Sequence, residues 1–129
     1  MTNSLYRLRV SSQFSSSHQL RYYQGQCENL HGHNFHVETE IEGYQLDPQT
    51  GLLLDFKELK RLLNSILKEL DHTHLNDLPA FRDINPSSEN LAKYIFQSLK
   101  QILPYPDIWL REVSVAEKNS SKAIYTESV

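Results

Sequence analysis

Along residues 6–20 the apolar side chains Tyr6, Leu8, Val10, Phe14 and Leu20 all fall on even positions, the two-residue period of a strand with one buried face. His18 shares that parity. An unbroken strand therefore turns it toward the buried side, where an imidazole needs a partner. Residues 21–30 break the alternation around Gly25 and read as a loop that delivers Cys27 to the next strand. There Phe35, Val37, Thr39 and Ile41 alternate with His36, Glu38, Glu40 and Glu42, which places the odd side chains inward and the even ones in water. His31 and His33 are odd as well. Two strands paired as a hairpin would gather His18, His31 and His33 on the inward side and leave His36 outside.

The period then changes. Asp47-Pro-Gln-Thr-Gly51 is a turn by composition, and Asp55 followed by Glu58 resembles a capping box ahead of a helix. Phe56, Leu59, Leu62, Leu63, Ile66, Leu67 and Leu70 recur at three and four residues and form one apolar face, with Asp71-His72-Thr73-His74 at its end. Pro86-Ser-Ser-Glu-Asn90 signals a second helix, capped by a serine with Glu89 in its first turn. Its apolar positions run from Leu91 through Ile95, Phe96, Leu99 and Ile102 to Leu103. Residues 108–117 read as a strand and 123–126 as its return across a turn at 118–122. Two strands, two helices and two strands, without repeats or an evident linker, predict an α+β fold with an antiparallel sheet. One sheet face or edge remains to be covered, and oligomerisation is one way of covering it.

Composition narrows the function. A chain of 129 residues and 15.1 kDa fits one domain, 1–129, long enough for a single core. The net charge of -3, with no basic run, gives nucleic acid no general attraction to the chain, so a small-molecule substrate is the better expectation. Cys27 is the only cysteine, which rules out an intrachain disulfide and a multi-cysteine zinc cluster. No stretch approaches the roughly 20 apolar residues of a membrane span, and the N-terminus does not read as a secretion signal. A reducing cytoplasm is the expected compartment.

The six histidines lie at 18, 31, 33, 36, 72 and 74, none in the last 55 residues. Three imidazoles on one face are what a catalytic zinc site uses, with a fourth position left for water or substrate. His18, His31 and His33 supply them, and zinc stands ahead of iron or copper because no carboxylate joins the set. Cys27 has three readings: an inert thiol, a fourth ligand that closes the site into a structural one, or a nucleophile or base activated by the nearby dication and a histidine. Asp71 and His72 read either as an orienting carboxylate with a proton-shuttling imidazole, or as a helix end beside an exposed histidine. His74 is read as an ordinary histidine. Glu117 shares parity with Val113 and Val115, so its carboxylate faces inward and needs a basic residue or a ligand's nitrogen donors.

Five separated motifs, Phe14-Ser-Ser-Ser-His18, Cys27-x-x-x-His-Gly-His33, Leu70-Asp-His72 with Leu75-Asn-Asp77, Pro86-Ser-Ser-Glu-Asn90, and Glu117 with Ile124-Tyr125, resemble the 6-pyruvoyltetrahydropterin synthase family over nearly the whole chain. The three-residue gap between Cys27 and His31 resembles its bacterial 6-carboxytetrahydropterin synthase branch, whereas the pyruvoyl-forming branch usually has a longer gap. The resemblance implies a tunnelling fold (T-fold), in which a four-stranded antiparallel sheet carries two helices on one side. Three subunits join their sheets into a barrel and two trimers stack, which implies a homohexamer with active sites at subunit interfaces. It implies 7,8-dihydroneopterin triphosphate as substrate, and 6-carboxy-5,6,7,8-tetrahydropterin, acetaldehyde and triphosphate as products, on the route to queuosine. By the same resemblance, His18, His31 and His33 would hold Zn²⁺, Cys27 would be the base, and Asp71 and His72 its relay. Glu117 would anchor the pterin and Glu89 would touch it. Two departures stand out: Ser16-Ser17 replaces the common Ala-Ala before the histidine, and Lys118 follows Glu117 where threonine is frequent.

Overall fold

Phe14 and Phe35 stack with their ring centroids 4.9 Å apart, and the buried face of the sheet is laid down around that contact. The computed structural model describes residues 4–24 and 29–128; Cys27 lies outside the described residues. Strand β1 (Tyr6–His18) pairs antiparallel with β2 (His31–Gly43), helices α1 (Phe56–Leu70) and α2 (Ser88–Ile102) follow, and β3 (Ile108–Lys118) and β4 (Ser121–Tyr125) complete the chain. The sheet order is β1-β2-β3-β4 with every neighbour antiparallel. The α+β architecture read from the hydrophobic periods is the one observed.

Both helices form where their caps and apolar stripes predict. Asp55 accepts a hydrogen bond from the Lys57 amide at 2.8 Å, and the Ser87 hydroxyl accepts one from the Asn90 amide at 3.1 Å, each satisfying an otherwise orphaned donor of the first turn. Glu58 does not complete the capping box; its carboxylate takes Arg61 at 2.6 and 3.0 Å instead. Leu59, Leu62, Leu63, Ile66, Leu67 and Leu70 of α1, and Leu91, Ala92, Ile95, Phe96 and Leu99 of α2, are buried in one cluster with Val10, Phe14, Phe35, Val37, Ile41, Val113 and Val115 of the sheet. Phe56 and Ile102, at the open ends of the two helices, remain exposed. Their periodicity suits the face, but each is a terminal residue of its helix.

The expectation that Glu40 and Glu42 stand in water does not hold. Their relative exposures are 5% and 6%, although they lie on the sheet face away from the helices. Charged neighbours cover them. Arg9 reaches Glu40 at 2.9 Å; Glu42 receives Arg7 at 2.5 Å, the Trp109 indole N–H at 3.0 Å and Arg111 at 3.4 Å. A register shift in the β2–β3 ladder, where Glu40 faces Glu112 but Ile41 faces Leu110, leaves Arg111 as the extra residue. Arg9 also lies 3.8 Å from Glu112, offsetting the repulsion of two glutamates set directly opposite. The odd-even rule reports which face a side chain takes; here the second face is roofed by arginines.

Burial pushes the Glu42 carboxyl up, but the hydrogen bonds from Arg7 and Trp109 and the charges of Arg7 and Arg111 outweigh it, so its pKa lies below the ordinary 4.5. A depressed carboxyl pKa contributes stability that is present above the unfolded-state value and lost as pH falls through the native one. Urea unfolding followed from pH 7 to pH 3 should therefore show a fall in midpoint beginning below about pH 4.5, and Glu42→Gln should lower the midpoint at pH 7 while flattening that acid limb. An acid limb unchanged in Glu42→Gln would remove Glu42 from the account.

Candidate functional site

Register brings the three histidines together. His18 pairs directly with His31 and Ser16 with His33 at the far end of the β1–β2 ladder, so all three imidazoles leave the sheet on the helix-bearing face. Their ring centroids lie 4.6 Å (His18–His31), 4.5 Å (His31–His33) and 5.7 Å (His18–His33) apart, and Phe35 floors the group at 5.2 Å from His18. His36 is exposed on the opposite face, as its parity requires.

The chain beyond His18 is held by side-chain amides that imitate a further strand pair. Asn76 accepts from the Gln19 amide and donates to the Gln19 carbonyl at 2.9 and 2.7 Å; Asn85 does the same for Arg21 at 2.8 Å each way. The Arg21 guanidinium donates to the carbonyls of Phe81 and Ile84 at 2.8 and 3.0 Å. These bonds place Pro86 and the start of α2 beside His18.

Hydrogen bonds to carbonyls then choose the tautomers. His18 Nδ1 is 2.7 Å from the Pro86 carbonyl oxygen and His31 Nδ1 is 2.9 Å from that of Asn29. A carbonyl accepts only, so each Nδ1 donates, and in the neutral ring Nε2 carries the lone pair. His18 Nε2 is buried without a hydrogen-bond partner among the described residues. It nevertheless lies 3.1 Å from Glu117 Oε1, while His33 Nε2 lies 3.5 Å from Glu117 Oε2. The His18 lone pair facing a carboxylate at such a distance suits a cation between them. His18, His31, His33 and Glu117 offer one donor atom each, all within 4.8 Å of one another, so the residues present fit a divalent metal ion with imidazole and carboxylate ligands. A carboxylate does stand beside the three histidines: the inward parity of Glu117 brings it to the rings from the neighbouring strand β3.

Asp71 and His72 form a second group. Asp71 ends α1, its Oδ1 accepting the Ser15 amide at 2.8 Å and its Oδ2 lying 2.8 Å from His72 Nδ1. The Ser15 hydrogen bond, reinforced by His72, holds the Asp71 carboxyl below the usual carboxylate range in spite of some desolvation. His72 has φ +53, a left-handed conformation uncommon outside glycine and often found at functional sites. Its ring is 82% exposed. His74, read as an ordinary histidine, has its Nδ1 2.9 Å from the Ser17 hydroxyl.

Two clefts follow from this layout. One, of about 640 Å³, opens beside the metal group and is lined by His18, Ser88, Glu89, Glu117, Lys118 and Lys122. The other, of about 520 Å³, is lined by His72, His74, Ser15, Ser16, Asn34 and also by His33 of the histidine trio. Glu89 and Glu117, far apart in sequence, thus share one cleft, while His72 shares the other with His33. Sequence reading missed the carbonyls of Pro86 and Asn29 and the Ser15 amide, because backbone partners leave no residue-type signal. The asparagines of Leu75-Asn-Asp77 and Asn85-Pro86 were the available hint.

The family model for 6-pyruvoyl tetrahydropterin synthase matches residues 7–128, and the chain belongs to that family. It is 33% identical over 121 residues to the human 6-pyruvoyl tetrahydrobiopterin synthase, covering 91% of this chain and 81% of the human one. It is 35% identical over 114 residues to an Archaeoglobus fulgidus protein provisionally named 6-carboxy-5,6,7,8-tetrahydropterin synthase, covering 88% of this chain and 90% of that one. A Pyrococcus furiosus dihydroneopterin monophosphate aldolase is 33% identical over 113 residues, with the same coverage of 88% and 90%. The Caenorhabditis elegans 6-pyruvoyl tetrahydropterin synthase structure superposes with a TM-score of 0.84 at 25% identity, covering 99% of this chain and 100% of that one. Family and fold are those the sequence motifs resemble.

The metal group has a direct test. His31→Ala should lower affinity for a divalent ion by about tenfold or more, read by competition with a chromophoric chelator, while His36→Ala on the other face leaves it unchanged. Equal effects of the two substitutions would overturn the assignment.

Proposed function

We propose that this chain is a zinc-dependent carbon-oxygen lyase that converts 7,8-dihydroneopterin triphosphate and water into 6-carboxy-5,6,7,8-tetrahydropterin, acetaldehyde and triphosphate, in the cytoplasm, on the route to queuosine and other deazapurines. The observation that carries this choice within the family is the gap of three residues between Cys27 and His31, the spacing that resembles the carboxy-forming branch. The relative from Archaeoglobus is named for that product. The human relative, named for pyruvoyl formation, supports the second reading, in which triphosphate is eliminated and the side chain stays intact.

In this reading His18, His31 and His33 hold Zn²⁺, which when bound supplies a Lewis acid that acidifies the substrate's side-chain hydroxyls. The Nδ1 donations to Pro86 and Asn29 keep two of the rings oriented with Nε2 toward the ion. Glu117 accepts from the pterin ring's N–H groups, with Glu89 offering a further acceptor from the same cleft. Cys27 is the base that moves protons as triphosphate leaves and the side chain is cut; Asp71 fixes the His72 tautomer so that its Nε2 can exchange a proton with the thiol. Glu89 and Glu117 line one cleft and His72 the other, which supports an active site completed by another copy, in a homohexamer built as a dimer of trimers.

Incubation with dihydroneopterin triphosphate should release acetaldehyde and triphosphate together; triphosphate without acetaldehyde would replace this reading with the pyruvoyl one. Cys27→Ala should retain zinc and lose turnover by about a hundredfold or more. Loss of zinc in Cys27→Ala, or iodoacetamide labelling of the thiol only after chelation, would instead make Cys27 a ligand of a structural, non-catalytic zinc module.

Glu117 faces both the rings and the cleft, so one substitution separates its two uses. Glu117→Gln should keep the ion and weaken pterin binding by about tenfold or more, measured by metal analysis beside a fluorescence titration with dihydroneopterin. A protein that loses its ion and binds the pterin normally would make Glu117 a ligand.

A further inference from the structure

Asp71 and His72 form a two-residue corner between the last carbonyl of α1 and the segment that runs beside β1. One side chain brackets that corner. The Ser16 hydroxyl donates to the Leu70 carbonyl on one side of the pair and accepts from the Thr73 amide at 3.4 Å on the other. Ser16 is itself buried, at 7% exposure, and pairs with His33 in the β1–β2 ladder. The backbone of β1 completes the clamp: His72 donates its amide to the Ser15 carbonyl at 2.6 Å and Ser17 donates to the Thr73 carbonyl at 3.0 Å. His72 is held left-handed between these bonds, a conformation that survives only where its surroundings over-determine it.

Alanine has no hydroxyl to bridge Leu70 and Thr73, so a serine at 16 supplies a restraint that the backbone bonds alone do not. We propose that Ser16 is a positioning residue for the Asp71–His72 pair, acting through the conformation of residues 70–73 and touching neither substrate nor metal. The inference rests on the relay reading of Asp71 and His72 given above. It also makes the strand that carries a metal ligand, His18, the splint for the proton relay, so both groups are referenced to one rigid element.

A double-mutant cycle tests it. Ser16→Ala should lower kcat by about tenfold while KM, zinc content and dihydroneopterin affinity stay within about twofold, and in a His72→Ala background Ser16→Ala should have no further effect, because residues acting as a unit are non-additive. Ser16→Thr, which restores the hydroxyl, should recover most of the loss. Amide exchange at His72 and Thr73, followed by NMR, should quicken in Ser16→Ala and return in Ser16→Thr. Unchanged kcat in Ser16→Ala, with His72→Ala inactive, would overturn the positioning role alone. Equal losses from Ser16→Ala with and without His72 would also overturn it, showing general loosening. Full activity in His72→Ala would overturn the relay reading and this inference together.

Discussion

The in-register pairing of β1 with β2, unbroken from Tyr6 opposite Gly43 to His18 opposite His31, is the constraint on which the rest depends. Side chains alternate across a strand, so a slip of one residue would send His31 and His33 to the arginine-roofed face while His18 stayed with the core. Two unlike surfaces oppose that slip. On one face Phe14 stacks on Phe35; on the other Arg9 meets Glu40 and Arg7 meets Glu42. Both would be broken by the same displacement, which exposes phenylalanines and strands two glutamates. The cost of error is paid along the whole ladder, and the histidine geometry at its end inherits that precision.

Much of this was legible because period and parity are local. The caps at Asp55 and Ser87, the apolar stripes of both helices and the inward side of His18, His31 and His33 follow from spacing alone. Burial on the second face was not legible, since alternation assigns a side without saying what covers it. Glu40 and Glu42 look like solvent-facing residues until Arg7, Arg9, Trp109 and Arg111 arrive from strands distant in sequence. The register shift that frees Arg111 likewise depends on how two strands meet, and neither strand carries that information alone.

The candidate site divides the same way. The imidazoles could be grouped from sequence, and the motifs resembled a family to which the chain belongs. What sequence could not give was the identity of each ring's second partner, because a carbonyl such as that of Pro86 exists at every position. Only folding decides which one faces Nδ1. Glu117 was correctly turned inward by parity, yet whether an inward carboxylate meets a ligand or another side chain depends on the β2–β3 pairing that carries it to the histidines.

That meeting sets an electrostatic condition for the fold. A buried imidazole nitrogen with no hydrogen-bond partner costs about 1–3 kcal/mol, and His18 Nε2 is such an atom. A divalent cation held by the three histidines would take that nitrogen's lone pair, with the Glu117 carboxylate beside it. It would take the lone pairs that the Nδ1 hydrogen bonds leave on Nε2 of His18 and His31, and its charge would balance the neighbouring carboxylate. The Pro86 and Asn29 carbonyls set the Nδ1–H tautomer of His18 and His31, and Asn76, Asn85 and Arg21 hold the segments that bring Pro86 to His18. The sheet end thus presents a group able to hold an ion, whose binding would offset part of the desolvation penalty that the chain incurs on folding.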